Sequence, residues 1–187
     1  MNTAILDRIL VSDQGRRLFE TWRSLCRNGQ APLWREFDPA SVPDTLKFVS
    51  VLKPEGAGRL SIVIFGTELR EVLDAEITGR DALEDIPGIE QFQLRDMLTT
   101  VAQGLHAFVT LRDVRPERGE PAQLQAMCLP TLDETGRIGR LISAFIPISE
   151  DGRRLKDILE GGRAEMTMTG MVRYEIAADA CEDVLPA

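Results

Sequence analysis

His106 is the one histidine of this 187-residue chain. Together with Tyr174 it is the side chain best suited to exchange a proton with a buried carboxylate, the device of a small cone-shaped α+β isomerase or dehydratase. That chemistry requires a carboxyl of raised pKa facing a cavity. The three cysteines, Cys26, Cys128 and Cys181, are widely spaced, form no CxxC pair and have no nearby histidine, so neither disulfides nor structural zinc is expected. Cys26 continues an apolar helix face and Cys128 falls in an alternating strand, which makes both small buried hydrophobes. Met97, Met127, Met166 and Met168 offer soft thioethers, but their positions read as core filling. Gly56-Ala57-Gly58 lacks the Lys-Ser/Thr pair and helix start of a phosphate-cradling loop, so it reads as a hairpin connection. Asp74, Glu76, Glu84 and Asp85 read as solvated helix surface. Arg80 is the more interesting charge, because a guanidinium there suits a carboxylate or phosphate; an ion pair with Asp81 or Asp85 is the competing reading.

The elements that would position these residues follow from periodicity. Leu18, Phe19, Trp22, Leu25 and Cys26 recur at helical spacing after Ser12, a natural cap, and the pattern stops at Asn28-Gly29. Ile5, Leu6, Ile9 and Leu10 suggest a shorter helix before it. Pro32 to Pro39 reads as an extended connector, and Asp38-Pro39 and Val42-Pro43 as openings of short helical turns. Residues 47–52 and 59–65 are β-rich and flank a Pro/Gly loop, which predicts a hairpin. Small helices follow from Gly66, then a longer one carrying Leu94, Met97, Leu98, Val101 and Leu105. Residues 106–115, 121–130 and 140–148 predict an antiparallel meander, since Ala122, Leu124, Ala126 and Cys128 alternate with Gln123 and Gln125. Leu155, Ile158 and Leu159 form a short helix, and residues 163–187 are weakly patterned.

Composition narrows the function classes. The 22 basic and 30 acidic residues give a net charge of −8, with 43% hydrophobic and 28% charged residues, the profile of a folded globular domain. An acidic chain whose basic pairs, Arg16/Arg17 and Arg153/Arg154, are short and flanked by acids has no footprint for nucleic acid. No apolar run approaches the roughly 20 residues of a membrane span, the N-terminus lacks the pattern of a signal peptide, and unpaired cysteines fit a reducing cytoplasmic setting.

Two strands, small helices, one longer helix and a three-stranded meander, preceded by an N-terminal helix, resemble a PAS domain. The wording resembles a bacterial family of stand-alone PAS-like proteins at Trp22, at Pro32-Leu-Trp-Arg-Glu-Phe-Asp-Pro39 with Val42-Pro43, at Ile64-Phe65-Gly66-Thr67-Glu68-Leu69 and at Ile77-Thr78-Gly79-Arg80. The resemblance covers about residues 15–150, and its glycines and prolines are structural. It implies an α+β fold with a five-stranded antiparallel sheet, order 2-1-5-4-3, and helices enclosing a small cavity on one face. The expected organisation is a helical segment at 1–30, the PAS-like domain at 31–150, and a C-terminal helix and tail at 151–187. The implied function is sensory or regulatory, through a small ligand, a partner protein or a homodimer, with no effector domain. Val63 and Phe65, then Leu69, Arg80, Leu83, Met97 and Val101, then Leu124, Ala126 and Phe145 are the expected pocket walls. Leu18, Trp22 and Leu25 are the dimer face that the resemblance implies, with packing onto the chain's own sheet as the alternative. Haem would take His106 as axial ligand, but a histidine at a helix end explains it more simply. Residues 81–104 contain no cysteine, which disfavours a flavin photoadduct.

Overall fold

Ser12 begins the first long helix as its spacing predicts, its hydroxyl accepting the N–H of Gly15 at 3.2 Å and so satisfying one donor of the open first turn. In the computed structural model, which describes residues 3–55, 59–73, 76–82, 100–101, 106–117, 120–148, 154–159 and 164–184, α1 spans Thr3–Ile9 and α2 spans Asp13–Leu25. The chain leaves α2 through Asn28 and Gly29, both left-handed, with φ of 53° and 72°. The proline-rich connector forms three short 3-10 turns, Trp34–Glu36, Pro39–Ser41 and Pro43–Phe48, with Asp38 capping the second by accepting from the N–H of Ala40 at 2.9 Å.

Strands β1 (Val49–Pro54), β2 (Leu60–Phe65), β3 (His106–Arg115), β4 (Ala122–Leu132) and β5 (Ile138–Ile148) lie close to the predicted runs. Gly66 turns β2 into α3 (Thr67–Leu73). A Cβ at this position would lie 2.4 Å from the carbonyl oxygen of Lys47, so only glycine fits against that backbone. Most of the longer helix predicted around Leu94 to Leu105 lies outside the described residues; Val101 is helical and buried.

The sheet departs from the expected five strands. It has seven, in the order β2-β1-β5-β4-β3-β6-β7. After the short helix α4 (Leu155–Leu159), residues expected to form a weakly patterned tail make β6 (Glu165–Glu175) and β7 (Ala180–Asp183). Glu165, Thr167 and Thr169 point to solvent while Met166 and Met168 are half-buried, a period-two alternation long enough to add β6 along the whole of β3.

Strand alternation divides the sheet into two faces. Val49, Val51, Val109, Met127, Leu129, Ile142, Ala144, Ile146, Val172 and Tyr174 belong to the larger core with Leu18, Phe19 and Trp22. Here α1 lies on β3, β6 and β7 while α2 lies on β4 and β5. The far face carries Leu52, Ile62, Phe108, Cys128 and Leu141, which form a second core with Ile77, Ala82 and Val101.

Candidate functional site

On the far face an apolar surface is interrupted by four buried polar side chains: Ser50, Thr110, Arg112 and Ser143. Ser50 and Leu52 share a face by alternation, as do Ser143 and Leu141, and as do Thr110, Arg112 and Phe108. Ser50 and Ser143 are direct cross-strand partners on β1 and β5. Thr110 Oγ1 approaches the carbonyl of Ala126 at 3.5 Å and receives Arg112 Nε at 3.5 Å. Arg112 is only 6% exposed, which makes it a permanent cation inside the fold.

The predicted pocket residues divide between the two cores. Val101 lies in the far-face core, with Phe65 and Phe145 packed against it, whereas Leu69 and Leu124 belong to the larger core and Val63 packs on that one. Ala126 is buried opposite Phe145. Arg80 is exposed, and its carbonyl accepts the N–H of Ile62 at 3.0 Å, so its backbone closes the edge of β2. Leu83 and Met97 lie outside the described residues. Ser50, Thr110, Arg112 and Ser143 were not among the predicted residues; the available signal was a polar residue at the inward phase of each strand.

The other face is closed by an aromatic cluster. Leu18 and Trp22 are completely enclosed by the chain's own sheet, and Leu25 is half-buried, so the first two offer no surface to a second subunit. Tyr174 stands edge-on to Phe19 and Trp22 at centroid distances of 5.4 and 5.8 Å, and Trp22 Nε1 donates to the carbonyl of Pro130 at 2.8 Å. Beside this cluster an open cleft of about 400 Å³ runs between α2 and the β6–β7 turn. In it Arg23 donates from Nε and Nη2 to both oxygens of Asp179 at 2.8 and 2.7 Å, and the Tyr174 hydroxyl donates to Asp179 Oδ1 at 2.5 Å.

These contacts decide the protonation states. The Arg23 and Tyr174 hydrogen bonds hold the Asp179 carboxyl down at about 2, and burial, followed by the bond to Asp179, raises the Tyr174 phenol above its ordinary value. The carboxyl that Tyr174 meets is therefore kept ionised, the reverse of the raised carboxyl an isomerase of this kind needs. Burial pushes the Cys26, Cys128 and Cys181 thiols up to about 12, about 12 and about 11, far from the thiolate form. His106 is half-buried at the start of β3 opposite Glu175, with Nδ1 lacking a partner. Burial, then the charge of Arg173, lowers its pKa. Among the described residues no three of His, Cys, Asp and Glu gather closely enough to hold a metal ion, and no helix is long and apolar enough to cross a membrane.

A further ionic cluster joins α3 to α4. The Glu68 side chain is 8% exposed and meets Arg154 Nε at 3.3 Å and Lys47 Nζ at 3.8 Å, while Glu71 meets Arg154 and Lys156. Leu155 and Ile158 of α4 are fully buried beneath it, which fixes the path of the chain from β5 toward β6.

A sequence profile described as a PAS domain matches residues 11–145. No curated protein matches the chain. Among solved structures, RsLOV is similar at 15% identity with a TM-score of 0.40, covering 76% of this chain and 73% of its own. An RNA-binding light-oxygen-voltage receptor is similar at 15% identity with a TM-score of 0.41, covering 67% of this chain. The present chain spans 38% of that receptor.

Proposed function

Because this chain belongs to the PAS domain family, we propose that it is a sensory or regulatory module that binds a small ligand on the far face of its sheet and passes the signal to a partner protein. The observation that carries this reading is the far-face core, where residues from β1, β3, β4 and β5 meet Ile77, Ala82 and Val101 and polar side chains are buried among apolar ones. A face closed only for stability gains nothing from polar groups at inward positions, whereas a ligand site needs a few to orient its occupant. Signal output runs through association, either with another protein or with a second copy.

Native mass spectrometry of freshly purified protein, beside its denatured mass and an absorbance spectrum of the same sample, tests this reading. A non-covalent mass increment is expected and identifies the compound. A bare subunit mass without visible absorbance removes a tightly held ligand and leaves partner binding as the function.

A further inference from the structure

Strand β6 carries a row of methionines that core filling does not explain. Met127 is enclosed at 3% exposure, whereas Met166, Met168 and Met171 are all only half-buried. Met166 and Met168 share a face by alternation, and Met171, three residues further on, would point to the other side of a regular strand. The pairing with β3 shifts here: Met168 stands opposite Arg112 and Gly170 opposite Leu111, so Thr169 is an extra residue and the phase of β6 reverses. The three methionines therefore stand opposite Val114, Arg112 and Thr110, alternate residues of β3, and all share one face of the sheet. Met166 and Met171 pack against the far-face core, and Met168 between them packs against neither core. The row lies beyond the residues matched by the PAS profile, on a strand that a five-stranded sheet lacks.

We propose that Met166, Met168 and Met171 form a three-thioether site for a soft monovalent metal ion, copper(I). Thioether sulfur is a donor of the kind that selects copper(I), whereas magnesium, calcium and manganese take oxygen ligands. Glu165 alternates to the opposite face, so the three donors are neutral, which suits one positive charge better than two. The outer two methionines stand opposite residues four apart on β3, on the order of 13 Å between Cα positions. Met168 lies between them, and each side chain is unbranched with three rotatable bonds, enough reach for the outer sulfurs to fold toward the middle one. Half-burial leaves the row partly open to an entering ion. The site needs no small ligand in the far-face core, so this proposal and the ligand-binding reading fail separately.

The test is anaerobic titration of the full chain, isotopically labelled in its methionine methyls, with copper(I) offered from the competing chelator bicinchoninate. Of the six methionine signals, those of Met166, Met168 and Met171 are expected to move together. The methyl signals, and not uptake alone, decide the matter, because Cys26, Cys128 and Cys181 are soft donors too. Replacing all three methionines by leucine nearly conserves volume and should abolish this uptake while circular dichroism stays as in the wild type. If that variant does not fold, Met168→Leu, outside both cores, should weaken copper(I) binding at least about tenfold. Zinc(II) should move none of the three signals. No uptake from the chelator, uptake that leaves these methyls still, undiminished affinity in a folded leucine variant, or an equal response to zinc(II) overturns the proposal.

Discussion

The two faces of this sheet are built from the same strands but hold different kinds of interior. On the helix-covered face every neighbour of Trp22 is fitted to it: Phe19 and Tyr174 at ring-contact distances, and the carbonyl of Pro130 on the indole N–H. The polar groups at its margin are tied off, as in the Arg23–Asp179–Tyr174 cluster. On the far face the core is smaller, and Ser50, Thr110, Arg112 and Ser143 stand buried at inward positions. Buried polar groups occur on both faces: Gln125, on the helix-covered side, accepts the Ser12 N–H at Oε1 while its Nε2 has no partner among the described residues. The contrast separates a larger core packed by α1 and α2 from a smaller one that carries several polar side chains at inward positions.

The largest effect should come from the helix-covered face. Trp22→Ala removes the enclosed indole and its hydrogen bond and should cost about 3–5 kcal/mol in chemical denaturation; a loss under about 1 kcal/mol would show that α2 is dispensable to the core. Gly15→Ala comes next, because its Cβ would lie 2.6 Å from Gln125 Oε1, the atom that accepts the Ser12 N–H at 3.0 Å. Overpacking there should destabilise by about 1–3 kcal/mol, read from the same denaturation midpoint.

Acid should act through Asp179. Its carboxyl is lowered from 3.8 to about 2 in the fold, so its contribution is fully present above the unfolded value and is lost as pH falls through 4 toward 2. Thermal melts of Asp179→Asn should start lower at neutral pH and change less over that window than the wild type; identical acid profiles would refute the linkage. The smallest effect belongs to the far face, where Ser143→Ala removes one hydroxyl from an inward strand position and should alter stability by no more than about 0.5 kcal/mol. A loss as large as that of Gly15→Ala would erase the distinction between the faces.

The elements closest to local rules were legible in the sequence. Ser12, the 18-19-22-25 spacing and the Asn28-Gly29 stop predict α2, and the alternation around Leu124 to Cys128 predicts the meander. Strands β6 and β7 were not read because the alternation from Glu165 changes phase near Gly170, where the pairing with β3 shifts between Leu111 and Arg112, so Met166, Met168 and Met171 do not keep one period. Arg112 carries no sequence signal for a related reason: a charge within an alternating run is ordinarily a solvent position, yet here it is buried. The Arg23–Asp179 pair joins residues 156 positions apart, a separation at which one sequence carries no pairing signal. The family resemblance implies the five strands from β2 to β3 in their order in the sheet, but β6 and β7 fall beyond the matched residues.

The placement of β6 and β7 also sets an order of assembly. Tyr174, which completes the aromatic cluster of α2, and Asp183, which meets Arg8 of α1 at 3.1 Å, lie at the opposite end of the chain from their partners. During synthesis from the N-terminus, Phe19 and Trp22 emerge long before Tyr174 and cannot bury fully until nearly the whole sequence has left the ribosome. Closing such a long loop favours late, cooperative docking over stepwise growth. Nascent chains halted just before β6 should therefore expose that aromatic surface and engage chaperones more strongly than chains extended past β7.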